Sequence, residues 1–367
     1  MWTLLLLASF VDGAIAEQKL TASDAAAADY FGVSVSVSGD YAVVGAYGDD
    51  DAGSGWTGSA YIFVRSGTTW TQQQKLSDAA TNDHFGESVS VSGDYAVVGA
   101  PGHNSSAGSA YIFVRSGTTW TQQQKLTASD ATEGATFGSS VSVSGDYALI
   151  GASRDNSHAG SAYIFVRSGT TWTQQQKLTA SDAAHYDSFG RSVSVSGDYA
   201  VVGADGNDDA GSNSGSAYIF VRSGTTWTQQ QKLTASDAAA NDRFGRSVSV
   251  SGDYVVVGAT RHNSVAGSVY IFVRSGTTWT QQQKLTASDA AANDHFGISV
   301  SVSGDYAVVG ADGHNSWTGS AYIFVRSGTT WTQQQKLTAS DAAAHDTFGS
   351  SVSVSGDYAV VGAPGDD

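Results

Sequence analysis

Five arginines stand apart from every other basic residue of this chain. Of its 18 lysines and arginines, all except Arg154, Arg191, Arg243, Arg246 and Arg261 are copies carried in the recurring Phe-Val-Arg and Gln-Lys-Leu segments. Guanidinium groups bind carboxylate or sulfate bidentately, so a cluster of them predicts a site for an acidic polysaccharide or an acidic peptide. Asp187 and Asp242 beside them offer the competing outcome, surface ion pairs that neutralise the cations. Trp56 and Trp317 lie in the same variable segments and are expected to join the ligand surface. Two acidic stretches, Asp49-Asp50-Asp51 and Asp208-Asp209, set clustered oxygens on glycine-rich backbone and predict weak Ca²⁺ binding. A solvated acidic turn is the alternative there. The eight histidines are scattered singly through the variable segments, which argues against zinc. Neither a nucleophile elbow nor a phosphate loop is present, and no enzymatic activity is expected.

The elements that position these residues follow from an internal period. Phe-Gly recurs at Phe31, Phe85, Phe137, Phe189, Phe244, Phe296 and Phe348, spaced by 52 to 55 residues, and periods of that size mark propellers or solenoids. Each repeat holds four strand signals. In the first repeat these are the Val/Ser alternation of residues 31–38, Tyr41–Ala46, Ser59–Val64 and Trp70–Leu76. Four short antiparallel strands make one propeller blade. Small residues suit the crowded axis, and Tyr61, Phe63 and Trp70 fill the splayed periphery. The prediction is an all-β, seven-bladed β-propeller with four antiparallel strands per blade.

In such a blade the Ser-Gly-Asp and Arg-Ser-Gly-Thr-Thr turns share one face of the disc. Both are copied unchanged between repeats. The variable loops share the other face. Loop drift under solvent exposure accounts for variation at many single positions, but the five arginines fall in three consecutive blades, the third to the fifth. Any anionic ligand is therefore expected there.

Seven copies of the first two strands are present, but only six of the last two. Residues 3–20 align without a gap on Ser59–Leu76, so the last blade is expected to be closed by both termini. The competing reading takes residues 1–16 as a signal peptide ending at Ala14-Ile15-Ala16, with residues 17–367 as the propeller.

The Phe-Gly pairs, together with Gly99-Ala100-Pro101 and Gly362-Ala363-Pro364, make the chain resemble the FG-GAP repeat family, known from the integrin α-subunit propeller. The Lys125–Ala131 linker and the Trp-Thr-Gln-Gln strand resemble its short secreted or surface microbial members. The resemblance implies an extracellular recognition or adhesion module that binds a protein or polysaccharide through the loops of one face. Integrin repeats often carry a calcium loop between the first two strands. That connection is only Ser92-Gly93-Asp94 here, so this feature does not carry over. A passive structural or surface-layer repeat is the alternative function, and an enzyme using the central channel is a more distant one. The net charge of −16 speaks against nucleic-acid binding, and no stretch has the roughly 20 apolar residues needed to span a membrane. With no cysteine, stability must come from packing and ring closure.

Overall fold

The structure, a computed structural model, describes residues 4–9 (as backbone), 17–50, 55–77 and 80–366. It is a β-propeller of antiparallel sheets, six with four strands and one with three. The first blade shows how the sequence builds them. Strand Ser34–Ser38 buries its valines and leaves its serines half-buried. Tyr41–Ala46 is buried on both faces, as its unbroken apolar run requires. Ser59–Ser66 follows, and Thr69–Leu76 completes the blade with Trp70 and Leu76 inside and Thr69 and Thr71 in water. The core lies between blades. One cluster joins Val43, Ile62 and Leu76 of the first repeat to Phe85, Val98 and Trp120 of the second.

Two sets of hydrogen bonds tie neighbouring blades together. Near the axis, the Ser34 hydroxyl donates to the Gly86 carbonyl at 2.8 Å. Ser88, Ser140, Ser192, Ser247 and Ser299 repeat this bond to the next Phe-Gly glycine, and Ser351 donates to the Gly32 carbonyl. That last bond joins the seventh repeat to the first, so the innermost strands close into a ring. At the periphery the Gln74 amide donates to the Trp120 carbonyl at 2.7 Å and accepts from the Trp120 N–H at 2.8 Å. Gln18 clasps Trp70 in the same way. The paired glycines of the motif are demanded by close approach. A Cβ on Gly45 would lie 1.9 Å from the Gly86 carbonyl oxygen, and one on Gly58 would lie 2.1 Å from that of Phe85.

Leu4–Ser9 is the third strand of the last sheet, antiparallel to Tyr358–Ala363, with Leu5 opposite Gly362. In the first blade Ala60 faces the equivalent Gly45, so a gapless alignment predicts Leu4 at that place. The strand is shifted by one residue. Leu4 to Leu7 are all leucine, and a run without alternation does not specify its register. Gln18 and Lys19 nevertheless keep the partners of an outer strand. The remainder of residues 1–16, including the expected cleavage site, lies outside the described residues. Among the described residues no helix is long and apolar enough to cross a membrane.

Candidate ligand-binding face

The repeated cations are held inside the fold. On the turn face Arg65 pairs with Asp40 and lies 4.3 Å over the ring of Tyr358 from the adjacent blade. Arg115, Arg167, Arg222, Arg274 and Arg326 repeat the arrangement on Asp94, Asp146, Asp198, Asp253 and Asp305. The lysines serve the blade crossovers. Lys75 bonds Asp24 at 2.6 Å and Asp49 at 2.8 Å, and the Tyr61 hydroxyl donates to Asp49 at 2.5 Å. Burial pushes the Asp49 carboxyl up, but the hydrogen bonds from Lys75 and Tyr61 outweigh it and hold it below the usual range. The place of Asp49 in later repeats is taken by His103, Asp155, Asn207, His262, His314 and Asp366, each touching the lysine of its own blade.

The same geometry gives some of the acidic residues expected to bind calcium other partners. Asp49 is a buried lysine partner, Asp50 is exposed, and Asp51 lies outside the described residues. Asp209 pairs with Lys232, while the Asp208 carboxylate accepts the Asn213 N–H at 2.7 Å. The carboxylates of Asp49 and Asp209 thus meet lysine, and that of Asp208 meets backbone. His103, His262 and His314 belong to the same framework.

Two cavities among the variable loops contain arginines of the expected ligand set. One is a groove of about 930 Å³ that brings Trp56, Arg154 and Arg191 together with His84, Glu87 and Asn104. Trp56 and His84 line it and belong to an aromatic cluster from loops of the first two repeats. Tyr30 stacks on Tyr47 at 5.0 Å, the Trp56 ring meets both edge-on at 6.2 and 5.7 Å, and His84 lies 5.6 Å from Trp56. Trp56 is 43% exposed, a large apolar surface open to a ligand. Burial, with Tyr30 and Glu87 nearby, pushes the Tyr47 hydroxyl up.

The second cavity, about 250 Å³, gathers Arg243, Arg246 and Arg261 around Asp205, Thr260 and His295. The Asp205 carboxylate lies 3.8 Å from Arg243 and 3.6 Å from Arg246, too far for a hydrogen bond to either. Burial, reinforced by the like charges of Arg191 and Arg243, brings Arg246 down to about 10. Trp317, 39% exposed, packs edge-on against His295 at 4.9 Å. The expected ligand set therefore divides between two neighbouring sites that Arg191 links electrostatically.

Asp187 and Asp242 do not neutralise these arginines. Both are buried, where they accept the backbone N–H of Ala184 at 2.9 Å and of Ala239 at 2.7 Å and so fix the crossover turns. Among the described residues Arg154, Arg191 and Arg261 form no ion pair. Sequence reasoning placed His84 in the variable loops but missed Tyr30, Tyr47, Glu87 and Asp205. The available signal was positional. They occupy the places just before Phe-Gly, just after it, or just after Gly-Ala, where the repeats differ.

Solved structures share the architecture. The periplasmic gluconolactonase of Pseudomonas aeruginosa is 12% identical, with a TM-score of 0.58 over 93% of this chain and 97% of that one. Hydrazine synthase of Kuenenia stuttgartiensis is also 12% identical, with a TM-score of 0.60 over 93% of this chain and 94% of that one. Likeness at this identity extends to the fold alone. No curated protein matches the sequence. The FG-GAP repeat model matches residues 15–63, 70–113, 120–165, 172–220, 227–272, 279–324 and 331–367. With Phe-Gly and Gly-Ala glycines packed against each other at the blade boundaries and the motif recurring along nearly its whole length, the chain belongs to the FG-GAP repeat family.

Proposed function

We propose that this chain is a seven-bladed propeller, closed by both termini, acting as an extracellular recognition or adhesion module that holds a protein or polysaccharide on its loop face. Closure is supported by the Ser351–Gly32 bond, the Leu4–Ser9 strand and the Gln18–Trp70 clasp. One contrast carries the binding reading. The turn face engages its arginines with neighbouring Asp and Tyr, whereas the loop face sets Arg154 and Arg191 in one groove with the exposed ring of Trp56. Indole and guanidinium surfaces of this kind suit stacking and bidentate contacts along an extended partner. The extracellular setting rests on the family resemblance. The near-identity of the blades favours a second reading, a passive surface-layer repeat.

A screen of the full chain against glycans and matrix proteins separates the two. A retained ligand should be lost by roughly tenfold or more in Trp56→Ala combined with Arg154→Ser and Arg191→Ser. Retention of nothing by the wild type, or an unchanged triple variant, would remove the groove as a binding site.

A further inference from the structure

The second cavity carries more than its share of positive charge. Three guanidinium groups surround one carboxylate there, and a fourth, Arg191, lies close enough to act on Arg246. The other acids nearby are engaged: Asp242 accepts a backbone N–H, and Asp312 accepts from or pairs with His295 Nδ1 at 3.0 Å. Every repeated arginine of the turn face has its own aspartate, so this imbalance is not how the fold ordinarily treats a cation. Nor does packing require it. The place of Arg246 is filled by Ser139 and Ser350 in other repeats, that of Arg243 by Thr136 and Thr347, and that of Arg261 by Gly48 and Gly102. Arg243 moreover sits at a φ of 60°, a backbone conformation that gains nothing from a long side chain.

We propose that Arg243, Arg246 and Arg261, with Thr260 and His295, form a pocket for a small tetrahedral oxyanion, a sulfate or phosphate group either free or as an ester. This goes beyond the groove reading and does not depend on it. Converging guanidinium forks match the tetrahedral oxygens, and the Thr260 hydroxyl can donate to another. At a net charge of −16 the chain as a whole repels anions, so capture rests on these local contacts. Bound anion also relieves the repulsion among Arg191, Arg243 and Arg246.

The test follows the melting temperature of the full chain in inorganic phosphate, inorganic sulfate or dextran sulfate, each against chloride of equal ionic strength. The wild type should show a saturable rise with at least one of them. A response to the inorganic ions assigns a free-anion site, and a response to dextran sulfate alone assigns an ester on a polymer. Arg246→Ser should melt higher than wild type without anion, since a like-charge contact is removed, and should bind the anion roughly tenfold more weakly. Arg243→Thr should weaken binding similarly. Trp56→Ala should leave the response intact, which keeps this site distinguishable from the groove. Absence of a saturable rise with all three anions, or a rise that persists in Arg246→Ser and Arg243→Thr, would overturn the proposal.

Discussion

Lys19 is the sharpest test of how the ring is completed. Its Nζ pairs with Asp341 and lies 2.8 Å from Asp366, which repeats what Lys75 does with Asp24 and Asp49 in the first blade. The two contacts differ in worth. Asp341 is nearly half exposed, so its share falls in the ~0–1 kcal/mol range of solvated pairs. Asp366 is 9% exposed, and removal of Lys19 would leave it uncompensated near Asp346, whose carboxyl burial and Asp366 already push up. Breaking a fully buried pair costs about 3–5 kcal/mol. With Lys19 itself 31% exposed, an intermediate cost of about 2 kcal/mol is expected for Lys19→Met. In a chain of this size that lowers the melting temperature by about 2–5 °C.

The acid limb supplies a second reading of the same variant. Lys19 holds the Asp341 carboxyl below the usual range by a hydrogen bond that outweighs burial. Its contribution is present above the ordinary value of 3.8 and fades as pH falls through the lowered folded value. The gap between wild type and Lys19→Met should therefore narrow below about pH 4. Differential scanning calorimetry of Lys19→Met and Lys75→Met from pH 3 to 8 measures both effects. If Lys75→Met destabilises while Lys19→Met melts as wild type, the N-terminal segment does not complete the last blade.

Three further substitutions probe a buried crossover carboxylate and the close approach of blades. Burial, with Asp49 and Asp50 nearby, raises the Asp29 carboxyl to about 6. A raised carboxyl favours the folded state as pH falls from 6 toward 4 and costs stability above that window, so Asp29→Asn should exceed wild type by about 1–3 kcal/mol at pH 8 and lose most of that advantage near pH 4; a constant difference across thermal scans would contradict the assignment. Gly362→Ala would place a Cβ 1.9 Å from the Gly32 carbonyl oxygen. Overpacking two backbones should cost about 3 kcal/mol, whereas Gly39, whose Cβ meets nothing within 4 Å, should lose only about 1 kcal/mol on change to Ala from its left-handed φ; equal urea midpoints for the two would refute the close-approach account.

Much of the fold could be read from the chain alone because it is written seven times. A period near fifty residues, Val/Ser alternation beside an apolar run, and glycines at Phe-Gly and Gly-Ala are local signals, and repetition averages out their ambiguity. Even the outer position of Gln18-Lys19-Leu20 was visible. The register of Leu4–Ser9 was not, since leucines in a row carry no alternation.

The candidate sites show the division most clearly. Sequence by itself separated Arg154, Arg191, Arg243, Arg246 and Arg261 from the repeated cations and assigned them to the loop face, because departure from a repeat is visible without coordinates. It could not tell a carboxylate facing solvent from one facing a lysine two strands away. Asp49 stands in an acidic run and is a buried partner of Lys75 and Tyr61; Asp187 and Asp242 stand beside the arginines in the chain and hold backbone turns. Only the tertiary structure decided these roles, and with them the grouping of the arginines into a groove and a pocket. Ion pairing depends on which atoms meet across a blade boundary, between residues about fifty positions apart such as Lys75 and Asp24, and local pattern carries no information about such contacts.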